Sequence, residues 1–461
     1  MSTDGRYIAA AALASAAATA AVFTVLGRRE KSSQVDGDSE VVKFERTRDK
    51  KSGVVAQWTK PVVIASPGLE VMAQALRKRL GCEEFSDDKG PTVLLERFKS
   101  NDPNTKFNWK RVVGRKIVFL FDTVDQDRLF EQLALLQALQ GFAVPDGDDK
   151  SSKWKTYVHS GKYSWGRASH ITVVIPWYRP CQMERTSRWH LTEDMQWVNS
   201  NPDGEWLDVP CAQYMARLLS TPGSVPPLPG PSSAMDGMPL NPLWRPPLEL
   251  LFVELHEEIP IRHSVSDLGA TIRMERFVPY FLERFKAGTN YPGKNNTFIL
   301  FPDKGAYDRY AGAVVDRLKL DPDHILFIKK TRVGESISTE QKFFCIEGQN
   351  EREQTALFVG KDHVLIIDDF TNSGSTLFGA VNLVRKMVGE DGTPDVSIFV
   401  SHLVATYDPK VVAALQSKLH ELGPTCKLYT TNSIATTTDL LKDDPQVKII
   451  DISDFIADLV H

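Results

Sequence analysis

The segment HVLIIDDFTNSGSTL, residues His363 to Leu377, decides the fold of this chain because it joins a buried strand to a helix through a loop of small residues. Its apolar run 364–367 predicts a parallel strand that is covered on both faces. Asp368 and Asp369 follow at the carboxyl end of that strand, where open α/β sheets bind their ligands. The segment therefore predicts an α/β fold with a ligand site at this strand end.

The loop after the two aspartates has the composition of a phosphate cradle. Residues 371–376 are rich in glycine and hydroxyl side chains, so backbone N–H groups can approach a phosphate closely. Apolar residues then recur on one stripe of a predicted helix, at Leu377, Val381, Val384 and Val388. A cradle beside two carboxylates suits ribose 5-phosphate, whose vicinal hydroxyls donate well to ionised oxygens. The alternative is an acidic strand end followed by an ordinary helix N-cap.

Length and composition indicate a globular protein of more than one domain. The chain has 461 residues, of which 42% are hydrophobic and 25% charged. Its net charge of -4 provides no electrostatic basis for binding nucleic acid, which we do not expect. The five cysteines lack the paired spacing of a zinc site, which indicates a reducing compartment.

Residues 1–60 are predicted to lie outside the folded part, as an apolar segment followed by a polar linker. The apolar segment, residues 8–26, is uncharged and rich in alanine. We expect it to contact or target a membrane, and we expect a cytoplasmic or organellar protein that is anchored through these residues. An alanine-rich surface helix or an extension without stable structure is the alternative.

The rest of the chain contains two halves with the same order of elements. Residues 61–219 alternate strands with helices, which predicts a mostly parallel sheet, and residues 250–461 repeat this order. Residues 220–249 contain nine prolines and are predicted to be a linker or insertion. Asp122 occupies the place of Asp368 in the first half, but no glycine cradle follows it. The phosphate site is therefore expected in the second half alone.

The segment from Asp368 to Thr376 resembles the ribose-phosphate loop of type I phosphoribosyltransferases and of ribose-phosphate diphosphokinases, the synthetases of phosphoribosyl diphosphate (PRPP). It departs from many family members at Asn372, where they have Asp or Glu. Tandem units, one with the loop and one without, resemble the PRPP synthetases specifically. The resemblance implies two tandem phosphoribosyltransferase-like (Rossmann-like) domains. The phrases at 301–309 and 330–334 look most like the plant-type, class II isoforms.

This resemblance implies an enzyme that transfers diphosphate from Mg-ATP to ribose 5-phosphate, giving PRPP and AMP for nucleotide biosynthesis. Mg²⁺ is then the expected cofactor, and a homo-oligomer is expected because family members complete the ATP site across a subunit contact. The site residues that it implies are Lys330 and Arg332 for catalysis, Asp368, Asp369, Asn372, Ser373, Gly374, Ser375 and Thr376 for ribose 5-phosphate, Glu184 and Arg185 for ATP, and His256 and Asp303 for the metal.

Each assignment outside the loop has a simpler alternative. His256 follows the apolar strand 250–253 in a Glu-Leu-His turn, and an isolated histidine is often structural. Asp303 is also a suitable helix N-cap. The basic run 329–332 would ordinarily be a solvated surface, and Glu184 and Arg185 fit an exposed turn equally well.

Two other functions are compatible with the fold that we expect. A regulatory family member without catalysis would fit Asn372, the long insertions and Gln182, which stands where the family has the first arginine of an ATP-site segment. Lys330, Arg332 and the intact cradle oppose this function. A phosphoribosyltransferase would consume PRPP, but the duplicated first half counts against it.

Overall fold

The computed structural model describes residues 60–82, 91–145, 163–183, 189–191, 197–199, 209–221, 246–265, 269–288, 291–332, 339–348, 350–354, 358–388 and 392–460. The predicted membrane segment at 8–26 and the predicted ATP-binding residues Glu184 and Arg185 lie outside these ranges. No helix within the described ranges is long and apolar enough to span a membrane.

The described residues form both strands and helices throughout these ranges. Its strands are β1 (Val62–Ala65), β2 (Val93–Arg97), β3 (Pro103–Phe107), β4 (Lys116–Leu120), β5 (Phe142–Pro145), β6 (Tyr163–Gly166), β7 (His170–Ile175), β8 (Trp189–Leu191), β9 (Trp197–Asn199), β10 (Leu248–Val253), β11 (Thr271–Glu275), β12 (Thr297–Phe301), β13 (Ile325–Arg332), β14 (Thr339–Glu347), β15 (Asn350–Gln354), β16 (His363–Thr371), β17 (Asp395–Leu403), β18 (Cys426–Thr431) and β19 (Val447–Ile450).

Most helices lie between parallel strands, as the alternation of apolar patterns predicts. They are α1 (Glu70–Arg79), α2 (Trp109–Val112), α3 (Leu129–Leu139), α4 (Cys211–Ser220), α5 (Ile259–Val265), α6 (Val278–Ala287), α7 (Lys304–Leu318), α8 (Ser375–Lys386), α9 (Pro409–Glu421), α10 (Ala435–Thr438) and α11 (Ser453–Val460).

The first sheet has the strand order β1-β4-β7-β10-β11, and all its neighbouring strands are parallel. This assignment differs from the predicted division at residue 250, because β10 pairs with β7 through Leu250 and Val173. The buried apolar strand β10 finds its partner in the first sheet, so the change of sheet comes later, between β11 and β12. The division of the chain into two domains itself stays a prediction.

The second sheet has the order β15-β14-β13-β12-β16-β17-β18-β19, with parallel pairing from β13 to β19. Strands β14 and β15 extend the β13 edge in antiparallel pairing. The sequence did not predict these two strands because their residues are mostly polar. The order reverses between β12 and β16, since the chain goes from β12 to β13 on one side and later returns to β16 on the other. Such a reversal opens a crevice at the carboxyl ends of the strands.

Apolar packing joins the two sheets into a common core. The rings of Phe281 in α6 and Phe399 in β17 stack with their centroids 3.8 Å apart. The last helix, α11, contacts the first sheet and its helix α1. The Ser453 hydroxyl donates to the Met72 carbonyl of α1 at 3.4 Å, and Lys116 Nζ of β4 donates to the Val460 carbonyl at 2.8 Å. Strand order and pairing confirm the α/β fold with mostly parallel sheets, and one buried apolar cluster contains residues of both sheets.

Candidate functional site

The carboxyl end of β16 carries the two aspartates at the point where the strand order reverses. The Asp369 side chain is only 4% exposed, and its Oδ2 accepts hydrogen bonds from His256 Nδ1 at 2.7 Å and from an Arg309 guanidinium nitrogen at 2.6 Å. Its Oδ1 accepts from the backbone N–H of Phe370 at 3.0 Å. Asp369 thus joins the turn after β10 and helix α7 to the end of β16.

The environments of the two aspartates shift their pKa values in opposite directions. Burial raises the pKa of Asp368 well above its ordinary value, and the charge of Asp369 raises it further. Burial alone would also raise the pKa of Asp369, but the hydrogen bond from His256 and the charge of Arg309 outweigh it and lower this pKa to about 2. Asp369 is therefore the ionised member of the pair at neutral pH, and Asp368 is the member that retains a proton to higher pH.

The loop after β16 leaves the start of α8 accessible. Gly374 stands at the helix N-cap with a φ of 73° and no side-chain cap, and Ser373, Ser375 and Thr376 are exposed. A Cβ atom on Gly374 would lie 2.5 Å from the Cε2 atom of Phe378, so glycine is required for both its backbone conformation and its size. An uncapped helix start presents N–H groups and a positive dipole end, which together suit an anion.

Asp303 follows β12 on the other side of the crevice. Its Oδ1 accepts from the Ala306 N–H at 2.8 Å, so the aspartate is an N-cap of α7, as the simpler interpretation predicts. Its charge also raises the pKa of Asp368, after burial and the charge of Asp369.

No group of three or more His, Cys, Asp or Glu side chains in the described part of the chain is arranged to hold a metal ion by itself. Mg²⁺ commonly uses one or two carboxylates and takes its other oxygen ligands from water and substrate phosphates. The mutual repulsion of Asp303, Asp368 and Asp369 is what a divalent cation would relieve. The residues of the site therefore fit a magnesium ion that is bound mainly through a phosphorylated substrate.

The chain has the fold of a phosphoribosylpyrophosphate synthetase. The crystal structure of phosphoribosylpyrophosphate synthetase from Mycobacterium smegmatis matches with a TM-score of 0.53 and 18% identity, over 87% of this chain and 97% of that chain. No family model matches the sequence, and no curated protein matches it.

Two phosphoribosyltransferase structures match smaller parts of the chain. Adenine phosphoribosyltransferase from Trypanosoma brucei, in complex with AMP, pyrophosphate and ribose-5-phosphate, has a TM-score of 0.19 and 13% identity over 38% of this chain and 62% of that chain. Hypoxanthine phosphoribosyltransferase from Staphylococcus aureus has a TM-score of 0.18 and 12% identity over 27% of this chain and 63% of that chain.

The structure brings together one part of the predicted site. His256 meets Asp369 directly, and the loop residues 371–376 follow in the same crevice. Lys330 and Arg332 lie at the end of β13, opposite Gln341 and Thr339 of β14, but their side chains lie outside the described part. The predicted roles of all these residues stay predictions.

Sequence reasoning did not single out Arg309, which holds Asp369 from the second turn of α7. A signal was available, because Arg309 ends the phrase 301–309 that carries part of the family resemblance. Glu254 was noted as part of the Glu-Leu-His turn but was given no role, and Tyr310 was not considered. Their importance depends on burial and on contacts between distant segments, which local patterns do not reveal.

Proposed function

We propose that this protein is a ribose-phosphate diphosphokinase, which transfers the β,γ-diphosphate of Mg-ATP to O1 of ribose 5-phosphate to give PRPP and AMP. The observation that supports this most is the exposed, uncapped start of α8 beside the Asp368–Asp369 pair at the reversal of strand order. The helix start suits the 5-phosphate, and the carboxylates suit the ribose hydroxyls of the same molecule.

The two aspartates would bind ribose in different ways. Asp369 already accepts hydrogen bonds from His256 and Arg309 on one oxygen, which keeps it ionised and fixed in orientation. Asp368 is partly exposed, so its carboxylate is the more accessible acceptor for a sugar hydroxyl once it loses its proton. Ser373, Gly374, Ser375 and Thr376 would surround the phosphate.

Magnesium would be held by Asp303 and His256 together with the substrate phosphates, with the His256 imidazole oriented by its hydrogen bond to Asp369. When bound, the ion supplies positive charge that neutralises the diphosphate as it moves. In the reaction, O1 of ribose gives up its hydroxyl proton to water and bonds to the β-phosphorus of ATP, the bond from that phosphorus to the α,β-bridging oxygen breaks, and AMP leaves with that oxygen. Lys330 and Arg332 would stabilise the negative charge on the transferred group.

The direct test measures AMP and PRPP after the full chain is mixed with ATP, ribose 5-phosphate and Mg²⁺, by chromatography and phosphorus NMR. Lys330→Ala should lower kcat by about 10²-fold or more, with a much smaller change in ribose 5-phosphate affinity, because the lysine acts on the transferred group. Lys329→Ala is the matched control, since Lys329 Nζ pairs with Glu351 at 2.8 Å on the surface. Equal losses of turnover and affinity in Lys330→Ala would contradict the assigned role.

The same assay separates the two other functions. Absence of AMP, together with binding to an active homologue, would identify a regulatory subunit. Consumption of PRPP and release of diphosphate on addition of a nucleobase would identify a phosphoribosyltransferase. We further propose that the protein forms a homo-oligomer, which sedimentation would test. We also propose that it is of the plant-type, class II form, which the dependence of its activity on inorganic phosphate would test. A fluorescent fusion with and without residues 1–30 would test the proposed membrane contact.

A further inference from the structure

Glu254 has an unusual combination of backbone conformation and burial. It follows β10 with a φ of 49°, a left-handed conformation that side chains other than glycine rarely adopt, and it is only 1% exposed. Its Oε2 accepts hydrogen bonds from the backbone N–H groups of Phe277 at 2.7 Å and Val278 at 3.0 Å, at the start of α6. Such a conformation persists where the surrounding contacts determine it.

The second oxygen of Glu254 has a different partner. Glu254 Oε1 accepts a hydrogen bond from the Tyr310 hydroxyl at 2.8 Å, and Tyr310 is fully buried in α7. Oε2 alone accepts from the N–H groups at the start of α6. The hydrogen bond between Oε1 and Tyr310 is therefore not part of the helix cap. This hydrogen bond ties the turn after β10 to helix α7.

The turn after β10 and helix α7 each provide a hydrogen-bond donor to the same atom of the candidate site, Asp369 Oδ2. His256, two residues after Glu254, donates to Asp369 Oδ2 from one side, and Arg309, next to Tyr310, donates to it from the other. The Arg309 guanidinium also lies 5.5 Å from the centroid of the Tyr310 ring. The spacing of the two donors around Asp369 therefore depends on the segments that Glu254 and Tyr310 connect.

We propose that Glu254 and Tyr310 are positioning residues for the ribose site, whose buried hydrogen bond sets His256 and Arg309 at the right distance to hold Asp369. The ribose part of this inference rests on the proposed function, because ribose is the group that the aspartate pair would bind. Loss of the hydrogen bond should loosen the His256 contact and weaken ribose 5-phosphate binding, with little effect on ATP.

The test compares Tyr310→Phe with Tyr307→Phe in the full chain. Tyr307 lies on the same helix but packs against Phe301 and Phe327, so it is the matched control. Nitrogen NMR of labelled histidine should show a changed His256 imidazole signal in Tyr310→Phe alone, because its Nδ1 hydrogen bond is altered. Calorimetry should show about tenfold weaker ribose 5-phosphate binding in Tyr310→Phe, the size expected for the loss of one buried hydrogen bond, and no change in Tyr307→Phe.

Each outcome shows whether the hydrogen bond between Glu254 and Tyr310 positions His256 or is a purely structural contact. A lower Tm in Tyr310→Phe with an unchanged His256 signal would overturn the inference and leave a purely structural contact. If the wild type itself does not bind ribose 5-phosphate, the proposed function fails, whereas the His256 signal still decides the positioning role. If Tyr310→Phe does not fold, Glu254→Asp replaces it, because the shorter side chain keeps the carboxyl group and withdraws it from Tyr310. The same signal change is then expected, and its absence would refute the inference.

Discussion

Replacement of Gly374 by alanine should damage the phosphate loop in a way that can be calculated from its surroundings. The φ of 73° costs a residue with a Cβ atom about 1–2 kcal/mol. The new Cβ would also lie 2.5 Å from Phe378 Cε2, and displacing that buried ring should cost about 1–3 kcal/mol. Together these effects predict that Gly374→Ala lowers the free energy of unfolding by about 2–5 kcal/mol.

Gly379→Ala in the same helix is the matched control. Gly379 lies inside α8 with nothing within 4 Å of its would-be Cβ, so alanine there should stabilise the helix by about 1 kcal/mol. Denaturant unfolding would measure both changes, and calorimetry would follow ribose 5-phosphate binding, which Gly374→Ala should weaken because the loop must move. Equal stability and equal binding in the two variants would refute the reasoning.

Three further predictions concern buried charges around the site. Burial lowers the pKa of His402 from an ordinary 6.5 to about 4. Between pH 6.5 and about pH 4, this histidine therefore binds a proton in the unfolded chain but not in the folded chain. Stability should therefore fall by about 3 kcal/mol as the pH drops through this window, and a His402→Gln variant whose unfolding shows the same pH dependence would contradict this. Arg309→Ala removes a cationic partner of buried Asp369 and should destabilise the fold by about 3 kcal/mol. Arg317→Ala breaks an exposed ion pair at the end of the same helix and should cost less than about 1 kcal/mol by the same unfolding measurement. Because burial raises the pKa of Asp368 and its ionised form is the hydroxyl acceptor, ribose 5-phosphate affinity should rise with pH more steeply in the wild type than in Asp368→Asn, and parallel calorimetric profiles would argue against this acceptor.

Features that depend on neighbouring residues were predicted well from the sequence. The apolar run 364–367 forms the interior of β16, and the small residues 371–376 lead into a helix with Ser373, Ser375 and Thr376 exposed. The helical stripe holds for Leu377, Val381 and Val384, but α8 ends at Lys386 before it reaches Val388. Strand burial, glycine conformation and helical periodicity act over a few residues, so the order of strand, diacid, loop and helix is already present in the sequence.

The tertiary structure decided which distant groups meet. The buried apolar strand β10 joined the first sheet between β7 and β11. The mostly polar strands β14 and β15 extended the second sheet at its β13 edge. His256, Arg309 and Asp369 are far apart in the sequence, yet they meet on one carboxylate oxygen. The opposite pKa shifts of Asp368 and Asp369 follow from burial and from these long-range partners. Local sequence determined where a ligand could bind, whereas the protonation and orientation of the groups that meet it depend on charges brought together only by folding.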